Sequence, residues 1–336
     1  MKKMIRSLVV LSLLVAGALV EIANSQEFNY DNPLIRQRAD PWIHRTDCGI
    51  YYFIATVPEY DRIEIRKSNT INGLAEAEPV VVWRKHDSGP MSHHIWAPEL
   101  HRVDGKWYIY FAAARAENIW KIRMWALSND SDDPTTGEWV EEGQIRTERD
   151  DFALDATVFE HKGNYYYVWA EKTRPDNNSG LIMSKMKDGV TLIGPEVVIS
   201  EPEYEWEMHT YAVNEGAAVI KHGNRIFMTF SASATDHTYA IGLLWAYKDS
   251  DLMDPNSWHK LPEPVFYTNE KFNRFGPGHN SFTVAEDGKT PVLVYHAREY
   301  KEIDGFALDD PNRDTRVRTF RWNDDGFPDF AQEIGD

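Results

Sequence analysis

The chain has very little cysteine and only one extended apolar run. Cys48 is the single cysteine among 336 residues, so no disulfide can form within one copy of the chain. The apolar run, Leu8 to Val20, is too short to span a bilayer. We therefore predict no membrane insertion, and a fold that is held by its hydrophobic core without covalent cross-links.

Basic residues are also scarce. The chain has 36 Lys and Arg against 53 Asp and Glu, a formal net charge of −17. This excess of negative charge disfavours nucleic acid and anionic membranes as partners and favours a neutral substrate, although an acidic surface also serves solubility alone. The sequence contains no Gly-rich phosphate loop, paired-cysteine zinc pattern or EF-hand loop. We predict no nucleic-acid partner.

The first residues have the pattern of an export signal. Lys2, Lys3 and Arg6 precede the apolar run, and small residues at positions 23 to 25 are typical of a cleavage site. We predict that residues 1–25 are a signal peptide and that residues 26–336 form a single domain. The mature protein is then exported, to the periplasm or the extracellular space.

What the sequence does contain is a repeated aromatic-rich hairpin. Each copy has an apolar strand, a glycine turn and a second strand of the type Gly-Lys-Trp-Tyr-Ile-Tyr-Phe-Ala. The five turn glycines stand 56, 58, 60 and 65 residues apart; they are Gly49, Gly105, Gly163, Gly223 and Gly288. Repeats of this period are typical of propeller blades. We predict an all-β fold, a five-bladed β-propeller with its active site at one end of the central channel.

The residues eight or nine positions before these glycines carry the chemistry. At the start of the five preceding strands stand Asp40, Trp96, Asp155, Glu215 and His279. The innermost strands of a propeller line its channel, so these five side chains are expected to converge on the axis. Taken singly, Asp40 before Pro41 also suits a turn cap, and Trp96 and His279 suit a packed core. We assign Glu99 a structural role.

Three acids in one pocket fit glycoside hydrolysis. That reaction needs one carboxylic acid to protonate the leaving oxygen and one carboxylate on the other face of the sugar. A third acid can keep the proton donor protonated by repulsion between like charges. No Ser-His-Asp or Cys-His arrangement competes, because the only cysteine follows Asp47 in a turn.

The end of the chain predicts one more strand. Thr315, Val317 and Thr319 alternate with arginines at positions 316 and 318, as on an exposed strand. We expect this terminal strand to pair with blade one or two and close the ring. One of its arginines is expected to reach the pocket.

Five motifs resemble glycoside hydrolase family 43, a family of five-bladed propeller enzymes. They are ADPWI, IWAPEL, LDATVFEHKG, VNEGAAVIKHG and GPGHNSF, and together they span the predicted mature chain. The resemblance implies that Asp40 is the general base, Glu215 the general acid and Asp155 the residue that orients the acid and tunes its pKa. It further implies that Trp96 and Arg316 bind substrate. His279 would lie beside a structural calcium coordinated mostly by water, and no cofactor would be required for the chemistry.

Within that family the pattern most resembles inverting α-L-arabinofuranosidases, which release terminal arabinofuranosyl residues from arabinan or arabinoxylan. The expected partner is an arabinose-containing plant polysaccharide or oligosaccharide. Endo-arabinanase and β-xylosidase activities remain alternatives, and the lack of an added β-sandwich after the repeats favours arabinofuranosidase over xylosidase. A non-catalytic glycan-binding propeller is the alternative from another class; it would keep Trp96 but need not keep three acids.

Overall fold

The computed structural model describes residues 28–336, so the predicted signal peptide lies outside the described residues. Four blades are four-stranded antiparallel sheets with their strands in chain order. Blade one has β1 (Ala39–Arg45), β2 (Tyr51–Thr56), β3 (Arg62–Ser68) and β4 (Val80–Arg84). Blade two has β5 (His93–Val103), β6 (Lys106–Arg115), β7 (Asn118–Asn129) and β8 (Val140–Gln144).

The remaining blades continue the series. Blade three has β9 (Ala153–His161), β10 (Asn164–Glu171), β11 (Gly180–Met186) and β12 (Val197–Ser200). Blade four has β13 (Asn214–His222), β14 (Arg225–Ala232), β15 (Ala240–Tyr247) and β16 (His259–Lys260). Blade five has β17 (Phe275–Val284), β18 (Pro291–Arg298) and β19 (Asp314–Thr319), followed by the small hairpin β20 (Arg321–Trp322) and β21 (Pro328–Asp329). The predicted five-bladed propeller is confirmed.

Helical structure in residues 28–336 is confined to short turns. They are the α-helical turn α1 (Gly73–Glu76) and three 3₁₀ turns, Glu205–Glu207, Pro255–Ser257 and Glu270–Phe272. No helix in this part of the chain has the length and apolar character needed to cross a membrane.

The hydrophobic core lies between neighbouring blades. Five clusters of buried apolar side chains occupy the five blade interfaces. Ile54 and Trp107, for example, meet between blades one and two, and Tyr110 and Trp169 belong to the cluster between blades two and three. Aromatic side chains suit this wedge-shaped space because each fills a large volume with few rotatable bonds. The packed interfaces fix the inner strands relative to one another.

The propeller ring closes differently from what the sequence predicts. The terminal strand β19 pairs with β18 inside blade five, and not with blade one or two. Its outer edge pairs with the segment before β1, because Ile35 and Thr315 form an antiparallel bridge. The Asn32 amide also donates to Val317 O at 2.7 Å and accepts from Val317 N at 2.9 Å. The N-terminal segment therefore supplies the outer edge of the last blade.

Every innermost strand carries a β-bulge at the same height. In each blade two residues on the inner strand oppose one on its neighbour, and the first of the two has a positive φ. These residues are Asp40 (φ 53°), Ala97 (46°), Asp155 (57°), Gly216 (56°) and His279 (42°). Trp96 and Glu215 thus stand one position before the bulge, whereas the other three site residues are in it.

Candidate active site

A cavity of about 880 Å³ opens at the bulged end of the inner strands. Its lining includes the five side chains that the repeat register predicts to converge, Asp40, Trp96, Asp155, Glu215 and His279. Each of these residues is in a bulge or directly before one, and bulges are common beside functional sites. The structure therefore brings residues from all five blades into one cavity.

Asp40 is buried among hydrogen-bond donors and positive charge. Thr56 Oγ1 donates to Asp40 Oδ2 at 2.6 Å, and Arg313 Nη1 lies 3.4 Å from Asp40 Oδ1. His279 Nδ1 lies 3.3 Å from the same oxygen. Burial alone raises the pKa of Asp40, but attraction to His279 and Arg313 outweighs it and holds the pKa well below its usual range. Asp40 is accordingly a carboxylate at neutral pH.

Glu215 has the opposite electrostatic character. Burial, followed by repulsion from Asp40, raises the pKa of Glu215 to about 7, against a hydrogen bond from Tyr239 that lowers it. Its side chain remains partly exposed to the cavity. Glu215 therefore retains its proton at mildly acidic pH, which is the state that a general acid needs.

Asp155 is influenced by the charges of both of these acids. Burial and then the charge of Glu215 raise the pKa of Asp155 well above its usual range. The backbone N–H of Gly216, the residue after Glu215, donates to its carboxyl group. Asp155 thus contacts the backbone that carries Glu215, and the two acids oppose each other's ionisation.

Tyr239 holds Glu215 in place. Its hydroxyl donates to Glu215 Oε1 at 2.7 Å, and its ring stacks on the His296 ring with centroids 5.8 Å apart. Gly278 leaves room for this ring, since a Cβ there would come within 2.2 Å of Tyr239 Cδ1. His296 Nδ1 in turn accepts from the backbone N–H of Asp40 at 3.0 Å. Tyr239 and His296 therefore link the two carboxyl groups.

Trp96 lies in the cavity wall and not in a closed core. Its ring stacks on His94 at 4.0 Å and meets Tyr60 edge-on at 5.5 Å, while remaining partly exposed. An indole in this position offers a flat apolar surface to the C–H face of a sugar. The position is consistent with the predicted substrate contact.

The structure corrects the assignment of Arg316. Its guanidinium is absent from the cavity lining and instead contacts Asp336 Oδ2 at 2.8 Å. Arg313, three residues earlier, lines the cavity, with Nη1 3.4 Å from Asp40 and Nη2 3.2 Å from Tyr60 OH. The reason is that β19 begins at Asp314, so Arg316 lies within the blade whereas Arg313 still belongs to the loop above the cavity.

His279 and Glu99 have partners other than a metal. His279 Nδ1 faces Asp40 and Asp155, and Glu99 Oε2 lies 2.7 Å from His101 Nε2 deep in the channel. Within residues 28–336 no three His, Cys, Asp or Glu side chains converge as metal ligands. Because calcium prefers six to eight oxygen ligands, a cation beside His279 would depend mostly on water, as predicted. That prediction remains untested.

Sequence reasoning missed three side chains of the site, namely Arg313, Tyr239 and His296. Arg313 had a sequence signal, because it directly precedes the alternating strand. Tyr239 and His296 had none. Tyr239 directly precedes the third strand of blade four and meets Glu215 of the same blade, whereas His296 lies on the second strand of blade five and meets Asp40 of blade one.

The arrangement defines a chemical class. One carboxyl group is held ionised and another is held protonated, in one cavity with an exposed aromatic face. Hydrolysis of a glycosidic bond by a general base and a general acid needs such a pair. The fold and the site together are those of a glycoside hydrolase.

The family follows from comparison with known proteins. The model of glycosyl hydrolases family 43 matches residues 30–328, and the chain belongs to that family.

Three similar proteins are all named arabinofuranosidases. The chain is 53% identical over 306 residues to an extracellular exo-alpha-(1->5)-L-arabinofuranosidase of Streptomyces chartreusis, an alignment that covers 89% of this chain and 93% of the relative. It is 49% identical to the enzyme of the same name from Streptomyces avermitilis and to alpha-L-arabinofuranosidase 43 of Humicola insolens. Those alignments cover 93% of this chain and 65% of each relative.

Solved structures agree on the fold. An alpha-L-arabinofuranosidase from Lactobacillus brevis is 52% identical and superposes with a TM-score of 0.88, covering 90% of this chain and 96% of that one. A thermostable family-43 glycoside hydrolase at 23% identity has a TM-score of 0.73, covers 89% of this chain and 95% of that one, and supports the fold alone.

Proposed function

We propose that this protein is an inverting, exo-acting α-L-arabinofuranosidase that releases terminal arabinofuranosyl residues from arabinan or arabinoxylan. The observation that carries the proposal is the pair of Asp40 and Glu215, held in opposite protonation states in one cavity. The sugar specificity is supported by the relatives, which are named arabinofuranosidases at 46 to 53% identity.

The proposed reaction is a single displacement. Asp40 accepts a proton from a water molecule, whose oxygen attacks the anomeric carbon of the terminal sugar. Glu215 donates its proton to the glycosidic oxygen as that bond breaks, so the leaving chain departs as an alcohol. Asp155, which accepts from the N–H of Gly216, orients Glu215 and opposes its ionisation. Attack on the face opposite the leaving group inverts the anomeric configuration.

The first test compares two chromogenic substrates, 4-nitrophenyl α-L-arabinofuranoside and 4-nitrophenyl β-D-xyloside. We expect the wild type to hydrolyse the arabinoside. Asp40→Asn should lower kcat by a factor of about 10²–10⁴. Glu215→Gln should lower kcat by a similar factor when the substrate is an unactivated alkyl arabinoside. Polymeric arabinan is the next substrate. Binding to arabinan without any hydrolysis would contradict the proposal and favour the glycan-binding alternative.

Glu196 provides a matched control for Glu215. Burial raises its pKa to about 7 as well, but it contacts Arg149 and the backbone of Glu148 and does not line the cavity. Glu196→Gln should retain wild-type kcat. An equal loss in both variants would mean that the Glu215 effect is structural.

Stereochemistry is tested separately. Proton NMR of the first-formed arabinose should show the inverted, β configuration before mutarotation. Initial release of the α anomer would exclude the single displacement.

Export from the cytoplasm also belongs to this proposal. We expect the protein outside the cytoplasm, which the relatives named extracellular support. N-terminal sequencing of the secreted protein should find a start near residue 26.

A calcium ion near His279 is proposed as structural only. Dialysis against EDTA should leave kcat unchanged, because Asp40 and Glu215 are already held by protein groups. A loss of kcat that calcium restores would contradict this.

A further inference from the structure

A buried polar network lies behind the proposed general acid and does not reach the cavity. Its central residue, Asn214, directly precedes Glu215 at the start of β13. Successive side chains of a strand point to opposite faces, and Asn214 is fully buried and absent from the cavity lining. The groups that hold Asn214 therefore act on Glu215 through the backbone that the two residues share.

Both polar atoms of the Asn214 side chain have partners. Asn214 Nδ2 donates to Glu207 Oε1 at 3.0 Å, and Asn214 Oδ1 accepts from Ser200 Oγ at 2.6 Å and from Lys260 Nζ at 3.1 Å. The backbone of Asn214 is bonded to Ser179 in both directions. Its N–H donates to Ser179 O and its carbonyl accepts from Ser179 Oγ, each at 3.1 Å. The start of β13 is thus fixed to blade three, the blade that carries the third acid.

A buried ion pair completes the network. Lys260 Nζ lies 2.5 Å from Glu207 Oε1, and the two side chains are 8% and 0% exposed. Glu207 Oε2 accepts from the backbone N–H groups of Glu203 and Tyr204 at 2.7 and 2.8 Å, and Lys260 Nζ donates to Glu201 O at 2.8 Å. A buried ion pair often contributes no more stability than apolar side chains of the same volume, which favours a positional role for this one.

We propose that Asn214, Glu207 and Lys260 are positioning residues for Glu215. By fixing the start of β13 to blade three, they set where the Glu215 carboxyl group lies relative to the glycosidic oxygen that it protonates. Proton transfer requires hydrogen-bond reach, and a displacement of about 1 Å can cost about 100-fold in rate. This inference rests on the proposed function, because it concerns the acid of that same reaction.

Two substrates with different leaving groups test this role. Hydrolysis of α-1,5-linked arabinobiose expels a sugar alcohol, which must be protonated, whereas 4-nitrophenyl α-L-arabinofuranoside expels a stable phenolate, which needs much less help. Asn214→Ala and Lys260→Met should each lower kcat on arabinobiose at least about tenfold, and kcat on the nitrophenyl arabinoside less than about threefold. KM should stay near the wild-type value on both, because neither residue lines the cavity.

A milder variant and a matched control accompany these two. Ser200→Ala removes one hydrogen bond to Asn214 and should show the same preference to a smaller degree, which keeps the test available if a larger change prevents folding. Asn129→Ala is the control, because Asn129 is 1% exposed and donates to Thr136 O in its own blade, outside the cavity lining. Any loss of kcat in that variant should be equal on the two substrates.

Equal losses on the two substrates in folded Asn214→Ala and Lys260→Met, or no loss on either substrate, would overturn the positioning role. Failure of the wild type to cleave both substrates would instead overturn the proposed function, and the positioning role with it.

Discussion

Asp40 and Glu215 carry the same functional group, but the cavity lowers the pKa of Asp40 and raises the pKa of Glu215. Asp40 lies within 3.4 Å of the Arg313 guanidinium and the His279 ring, whereas Glu215 accepts a hydrogen bond from the neutral Tyr239 hydroxyl. Burial alone would raise both pKa values, and the interactions of Asp40 with His279 and Arg313 lower its pKa instead. The low pKa of Asp40 therefore comes from neighbours in blade five.

The pH dependence of kcat should have a single limb in the neutral range. Glu215 must be protonated to act, and its pKa of about 7 predicts a tenfold fall in kcat per pH unit above that value. The pKa of Asp40 is far lower, so no acidic limb is expected between pH 5 and pH 7. Tyr239→Phe removes a hydrogen bond that lowers the pKa of Glu215, so the limb should move to higher pH.

The measurement is a kcat profile from pH 5 to pH 9 for wild type and Tyr239→Phe. Tyr295→Phe, another buried tyrosine whose hydroxyl donates to a carboxylate outside the cavity, Asp336, is the control. Equal limbs in wild type and Tyr239→Phe would remove Tyr239 from the tuning of Glu215.

Arg313 and Arg316 should differ sharply in kinetics. Arg313→Gln leaves Asp40 without its nearby guanidinium, so kcat/KM should fall by about 100-fold, as expected when one partner of a buried pair is lost. Arg316→Gln breaks the contact with Asp336, outside the cavity, and should lower thermal stability with kcat/KM near wild type. Kinetics on folded protein, checked by circular dichroism, separates the two; similar kinetic losses would contradict the corrected assignment.

At the scale of the strand, the repeated bulge is the element that builds the site. A residue with positive φ costs about 1–2 kcal/mol when it is not glycine. Asp40, Asp155 and His279 adopt that conformation, and only blade four uses glycine, at Gly216. Three of the strained backbone conformations thus occur at residues whose side chains line the cavity.

Equivalent bulge positions in blades two and four provide a matched pair. Gly216→Ala should lower the free energy of unfolding by about 1–2 kcal/mol, because its φ is 56° and the new Cβ would lie 3.2 Å from the His279 ring. Ala97→Gly relieves similar strain but loses a buried methyl worth about 0.8 kcal/mol, so it should be nearly neutral. Denaturant unfolding measures both, and equal destabilisation would refute the strain argument.

At the scale of the whole molecule, the propeller depends on a contact between its two ends. The segment before β1 completes the edge of blade five through Leu34, Ile35 and Asn32. The hydrophobic cluster between blades five and one includes Leu34 and Ile35 as well. Because each blade packs only on its neighbours, loss of this closure exposes both faces of the interface between blades five and one.

Asn32→Ala should therefore destabilise the ring. It removes two hydrogen bonds to Val317, worth about 2 kcal/mol together. Asn164→Ala is the control, since the Asn164 amide bonds only within its own hairpin, to Lys162 O. Its effect should stay below about 0.5 kcal/mol. Equal shifts in denaturation midpoint would show that the closure contributes nothing.

The sequence by itself determined the positions of the repeated hairpins and of most of the acidic residues in the cavity. Turn glycines fix where each hairpin reverses, and all five have the positive φ, from 52° to 86°, that glycine adopts most readily. The alternation of apolar residues between them fixes the strands. Their spacing was enough to predict the blade number and the convergence of Asp40, Asp155 and Glu215.

Only the tertiary structure decided the rest. The bulge that offsets Trp96 and Glu215 by one position is visible only in strand pairing. The choice of Arg313 over Arg316 depends on where β19 begins. The pKa of each carboxyl group depends on charges brought near by ring closure. Local patterns specify strands and turns, whereas which side chains meet depends on how distant strands pack.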